Sequence, residues 1–142
     1  MNAMEISRTG LDVEWRRLEI IAQNIANVNS TVSASGESYR PLRLISGPAM
    51  SFSDVMANRG QASELHGVSV YSIEPQNLPP HRVYEPGHPQ ADAEGFVSYS
   101  GFDHAAEMAL MIKTSRAYEA NIVAMNAARQ MYSNALQIGK RG

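Results

Sequence analysis

The 142-residue chain has no cysteine. That absence excludes disulfides, zinc–thiolate sites and thiol nucleophiles together. Charge is scarce as well: Asp, Glu, Lys and Arg make up 18 % of the chain, and aromatics only 7 %. A low charge fraction leaves less surface committed to water. Neither sign dominates, with a net charge of −2 and a pI near 6.1, so no broad basic field exists to hold nucleic acid or anionic lipid. Arg40 and Arg43 come nearest to a basic patch, and two arginines on an expected strand read as solvated side chains. No run of 18 apolar residues is present, so no membrane-spanning helix is expected. Met1 to Arg8 lacks a basic stretch followed by an apolar one, so no cleaved secretory signal is expected.

Signatures of catalysis are missing too. His66, His81, His88 and His104 show no HExxH-like spacing, and no cysteine supplements them. His104 and Glu107 share a helix face at i, i+3, but two potential ligands do not define a metal site. Asp92 and Glu94 flank a turn, where paired carboxylates read as turn polarity rather than acid–base machinery. No GxSxG elbow, P-loop or dinucleotide fingerprint occurs. Tyr39-Arg40 and Arg82-Val83-Tyr84 are too sparse for a nucleic-acid platform. No catalytic, cofactor-binding or metal-ligating residue is therefore assigned, and neither nucleic acid nor a small-molecule substrate is expected as a partner.

What is present falls into three segments. Residues 1–30 read as an amphipathic helix over roughly 3–28, with Leu11, Trp15, Leu18, Ala22 and Ile25 at alternating spacings of 4 and 3 and Ile21 widening the stripe. Asp12 and Arg16 stand at i, i+4 and are suited to pair. Residues 31–101 hold all seven prolines and read as a small β-rich unit with loops. Its extended runs are Tyr39–Ile45, Val68–Glu74, Arg82–Tyr84 and Phe96–Tyr99, with turns at Pro86-Gly87 and Glu94-Gly95 and a short helix around Phe52–Ala57. Residues 102–142 carry the strongest signal. Met108, Met111, Ser115, Tyr118, Ile122, Met125, Arg129, Tyr132 and Leu136 keep a seven-residue repeat, with Asp103 as N-cap and Gly139 as stop. The expected class is α+β: long N- and C-terminal helices packed as a coiled-coil-like pair, with a small β-rich middle domain.

The last helix has only five charges between Ala105 and Ile138, namely Glu107, Lys113, Arg116, Glu119 and Arg129. An ordinary surface helix keeps a charged outer face. One partner helix cannot cover a rod of about 50 Å that is apolar or small around much of its girth. Neighbouring chains are the expected cover. The residues assigned to that packing are Leu11, Trp15, Leu18, Ile21, Ile25, Met111, Tyr118, Ile122, Met125, Tyr132 and Leu136. Direct membrane insertion is not expected, because the helix is rich in Asn and Gln and lacks a Lys-rich polar face. A different class, a monomeric module whose helices pair around a ligand, stays open on periodicity alone.

Three stretches resemble one family. Arg17 to Ser30, ending Asn24-Ile25-Ala26-Asn27, resembles the rod and hook signature of flagellar axial proteins. Val83 to Val97, with Pro86, Gly87, Asp92 and Gly95, is similar to a segment of the proximal-rod (FlgC) branch. Ser115 to Ile122, with Tyr118 and Asn121, resembles the family's terminal-helix motif. The first and third motifs are shared among axial proteins, so a rod component of the FlgB, FlgF or FlgG type is the alternative. The resemblance implies helices packed in the inner tube of the rod, with a β domain outside. It also implies export through the flagellar type III apparatus without a cleaved signal. Polymerisation in the periplasm with copies of itself and other rod proteins, and torque transmission from motor to hook, follow from it too. It further implies termini that are poorly ordered before assembly.

Overall fold

The computed structural model describes residues 2–30, 39–50, 56, 66–101 and 103–139. Helix α1 spans Ala3–Ala26 and helix α2 His104–Gly139. Between them lie strands β1 (Leu42–Pro48), β2 (Val68–Pro75), β3 (His81–Tyr84) and β4 (Phe96–Tyr99). This is the α+β arrangement expected from the periodicity. Strand β1 begins and ends three residues later than the run read from the sequence. The short helix expected around Phe52–Ala57 lies, apart from residue 56, outside the described residues.

Both helix starts are capped by side chains. Asn2 Oδ1 accepts from the Glu5 amide at 2.9 Å while Glu5 Oε2 accepts from the Asn2 amide at 3.0 Å, a reciprocal capping box. Asp103 Oδ1 accepts from the Ala105 amide at 2.8 Å, as its N-cap position implies. Helix α1 closes at Asn27, whose amide donates to the Gln23 and Asn24 carbonyls and whose Nδ2 donates to the Gln23 carbonyl at 2.8 Å. On the wet side, Arg16 pairs with Glu19 rather than Asp12, and Arg17 pairs with Glu14. These are i, i+3 pairs, and Arg17 is held there because it also reaches β1.

The strands form two antiparallel hairpins. β1 pairs with β2 from Leu42↔Pro75 to Pro48↔Val68, with a bulge between Ile45 and Ser46. β3 pairs with β4 from His81↔Tyr99 to Tyr84↔Phe96. The β1–β2 hairpin lies on α1, where Val13, Ile20 and Leu44 form a core flanked by Leu42 and Val68. Three polar clamps fix it there. Arg17 donates to the Leu44 carbonyl at 3.3 Å and to Ser46 Oγ at 2.8 Å. The Val68 amide donates to Thr9 Oγ1 at 3.0 Å. Gly67 packs against the Thr9 side chain so closely that no Cβ fits. The core is small: six apolar residues are fully buried among the described residues, beside four buried polar ones.

The helices run antiparallel. Gly10 lies opposite Asn121, and Asn24 opposite Glu107; in both pairs the residue numbers add to 131. Asn2, Ala3 and Met4 share a groove with Ala128, Met131, Tyr132 and Ala135, which fits the same register. Residues 130–139 of α2 therefore extend about 15 Å past the start of α1. All of residues 129–139 are exposed.

Candidate functional site

The seam between the helices is polar where it is most buried. Glu107, Thr114 and Ala128 are the buried residues of α2, and Gly10, Val13, Ile20, Ile21 and Asn24 those of α1. Asn24 is wholly buried and uses its amide in every direction. Its Oδ1 accepts from the Leu42 amide and from Tyr39 Oη, each at 2.9 Å. Its Nδ2 donates to the Leu42 carbonyl at 2.9 Å and to Glu107 Oε2 at 3.2 Å. Arg43, from β1, forms the ion pair with the other oxygen of Glu107. The cluster joins α1, β1 and α2, and among the described residues no buried side-chain polar atom lacks a partner. Burial pushes the Tyr39 phenol above its ordinary range, and the Glu107 charge adds to that push.

Apart from Ile21, which is buried within the chain, the residues assigned to packing from the sequence occupy a neighbouring face. Leu11 and Leu18 stand two positions from Val13 and Ile20, about 200° around the helix at roughly 100° per residue, and so point away from the β1–β2 hairpin. Leu11, Leu18 and Ile25 are half-buried, Trp15 is exposed, and Ile21 alone of this group is fully buried. On α2, Met111, Tyr118, Ile122 and Met125 are half-buried, whereas Tyr132 and Leu136 are exposed. Trp15 and Tyr118 have ring centroids 6.1 Å apart, which brings the two stripes together on one side of the helix pair. Met131 at 65 %, Tyr132 at 60 %, Leu136 at 52 % and Ile138 at 75 % exposure carry the apolar surface onto the overhang.

The motif residues have local tasks. Asn24 and Asn27 wire the end of α1, and Ala26 beside them is exposed. Asn121 donates to the Ala117 carbonyl at 3.1 Å and occupies the notch left by Gly10, where a Cβ would stand 2.9 Å from its Oδ1. Asp92, Gly95, Pro86 and Gly87 belong to the β3–β4 connection. Asp92 Oδ1 accepts from the Glu94 amide at 3.0 Å and the Phe96 amide at 2.9 Å. Gly95 adopts a φ of 84°, a left-handed conformation that favours glycine, and its Cα packs under Tyr84 and Pro86. Arg82 reaches Asp92 at 2.5 Å and lies 4.7 Å over the Phe96 ring. The Phe96 amide first, and then Arg82, hold the Asp92 carboxyl below its usual range.

Sequence reasoning missed Glu107 and Arg43 as partners, and Gly10 and Thr9 as contact points. In the sequence Glu107 reads as one of the scarce charges of its helix and as an i, i+3 neighbour of His104. Its position, four residues before Met111 and seven before Thr114, puts it on the inward stripe, and that was the available signal. Three of the four histidines, His81, His88 and His104, line an open cleft of about 730 Å³ with Glu85, Tyr99 and Asp103. Among the described residues no group of three His, Asp or Glu side chains is arranged to hold a metal ion. No described helix is long and apolar enough to cross a membrane.

Comparison with known proteins matches this arrangement at two levels. Residues 93–138, which include most of α2, match the family described as flagellar basal body rod FlgEFG protein C-terminal. Over nearly the whole chain, relatives are flagellar basal-body rod proteins FlgC. That of Salmonella typhimurium is 34 % identical over 140 residues, covering 99 % of this chain and 98 % of the relative. That of Borreliella burgdorferi is 33 % identical over 150 residues, covering 96 % and 95 %. That of Bacillus subtilis is 31 % identical over 146 residues, covering 98 % and 97 %. With its two terminal helices, small β unit and full-length similarity to these proteins, the chain belongs to the FlgC family of flagellar basal-body rod proteins.

Proposed function

We propose that the chain is a structural subunit of the proximal rod whose helix pair is covered by neighbouring subunits, both copies of itself and other rod proteins. Family membership gives the first part, a basal-body rod subunit. One observation carries the second: the last turns of α2 bear Met131, Tyr132, Leu136 and Ile138, each more than half exposed, although Asn2, Ala3 and Met4 border Met131 and Tyr132. Covering a large apolar side chain is worth roughly 1.5–3 kcal/mol, so four on one short segment are a substantial drive to associate. The face formed by Leu11, Trp15, Leu18, Ile25, Met111, Tyr118, Ile122 and Met125 continues that surface along the pair. The role is packing and transmission of torque from motor to hook, not catalysis. The subunit leaves the cell through the flagellar type III apparatus without a cleaved signal and joins the rod in the periplasm.

Substitution on the overhang tests this. Leu136→Asp and Tyr132→Asp alter exposed positions, so the isolated chain should keep its helicity, with stability within about 0.5 kcal/mol of the parent. Cells carrying either change should lack complete rods and fail to swim, and Ile122→Asp should act in the same direction. Normal rods and swimming in the Leu136→Asp and Tyr132→Asp strains would overturn the packing role.

A further inference from the structure

We infer that the buried Asn24–Glu107–Arg43 cluster, together with the Gly10–Asn121 notch, is a register lock that sets how far α2 projects beyond α1. The inference rests on the proposed packing role only where it gives the projection a use.

The apolar pattern of α2 does not select one alignment by itself. Most alanines of α2 are exposed, and toward α1 the helix presents mainly small or apolar groups, among them Leu110, Thr114, Ala117 and Ala128. The four-residue slide that sets Glu107 opposite Ile20 would bring Leu110, Ala117 and Ala124 to the places of Thr114, Asn121 and Ala128, where apolar packing asks for no particular partner. At two points the exchange is not neutral. In the observed register Glu107 meets Asn24 and Arg43, and the side-chain oxygen and nitrogen of Asn24 have two partners each. A slide of four residues sets Glu107 opposite Ile20 or Val28, away from the Asn24 amide. The carboxylate is 1 % exposed, so it would lose partners where water cannot replace them. The second point lies two heptads along α1. Asn121 fits against Gly10, where even a Cβ would approach to 2.9 Å. The same slide brings Asn121 against Ile6 or Glu14, which both carry side chains that the notch lacks.

A polar group at one buried helix–helix position is a known means of fixing alignment at a cost in stability. Here it has a geometric consequence. Each turn of slippage lengthens or shortens the overhang by about 5.4 Å and moves Tyr132 and Leu136 relative to the rest of the apolar face. Asn24, Glu107, Arg43, Gly10 and Asn121 are thus positioning residues for the packing surface and do not belong to it.

The lack of cysteine makes the register directly measurable. Spin labels on Arg16→Cys and Gln130→Cys, both exposed, report the axial offset of the helices by pulsed electron paramagnetic resonance on the isolated full chain. The otherwise unaltered chain should give one narrow distance. The variant Asn24→Leu/Arg43→Met/Glu107→Met should keep its helicity, with a lower denaturation midpoint because the Leu42 backbone groups and Tyr39 lose Asn24, and give a broadened or split distribution with components about 5 Å apart. If the triple variant loses helicity, Arg43→Met/Glu107→Met, which leaves Asn24 bound to Leu42 and Tyr39, is read in its place. A narrow, unshifted distance in a folded variant, or a broad one in the parent, overturns the lock. The readout needs no rod, so it stands apart from the failure of the packing role. In unlabelled cells the variant should swim poorly. Normal swimming with a slipped register would remove the functional half of the inference.

Discussion

Asn24 and Glu107 stand 83 residues apart in the chain and meet where the end of α1, β1 and the start of α2 come together. The two members of the ion pair are unequally buried: the Glu107 side chain is 1 % exposed and that of Arg43 27 %. Their removal should therefore cost unequal amounts. Arg43→Met strands a carboxylate without water and should destabilise by about 3–5 kcal/mol. Glu107→Met leaves a guanidinium that can turn to solvent, and should cost less, about 1–3 kcal/mol. Denaturant midpoints of the two variants decide the order. Asp92 gives a pH prediction of opposite character, because it is exposed. Its carboxyl is held below the usual range, so what it contributes to the β3–β4 connection is present above the ordinary carboxylate pKa, about 3.9, and is lost as pH falls through the lower folded value. The Glu94 and Phe96 amide resonances should move together in that acid window, and Asp92→Asn should abolish the movement. Asn24, Asn27, Asp92 and Gly95 were legible as motif residues. Their tasks were not, because each depends on partners that only the folded chain supplies.

The elements themselves were largely written in periodicity and punctuation. A seven-residue repeat without Gly or Pro marks α2, and short extended runs between turn residues mark β2, β3 and β4. The face of each helix that turns inward was not. The apolar stripe of α1 lies beside the seam, because the β1–β2 hairpin takes Val13 and Ile20 while α2 takes Gly10, Ile21 and Asn24. On α2 the seam is shifted onto Glu107, Thr114 and Ala128, residues that a search for hydrophobic spacing passes over. Gly10 shows the consequence at the level of helix packing. A glycine inside a helix ordinarily costs about 1 kcal/mol relative to alanine, yet here it admits a neighbouring side chain. Gly10→Leu should force the helices apart and lower stability by about 1–3 kcal/mol, with Asn121→Ala relieving part of the loss. Thermal unfolding of the single and double variants checks both statements.

At the scale of the whole molecule, the described chain buries few apolar side chains and leaves many large ones in solvent. Trp15, Ile112, Val123, Met131, Tyr132, Leu136 and Ile138 are all more than half exposed. Such a surface is unusual for a protein that remains alone. The scarcity of charge in the last helix foretold it, and full-length similarity to FlgC proteins gives it a setting. The most direct test is site-specific. A single cysteine at Leu136, in a chain that has no other, is labelled with a maleimide in the isolated protein and in purified basal bodies; Glu94→Cys, on the exposed β3–β4 connection, reports general accessibility. The cysteine at position 136 should react readily in the isolated chain and be protected in the assembled rod, by a larger factor than the one at position 94. Equal reactivity of position 136 in both states, with intact rods, would contradict burial of the overhang between subunits.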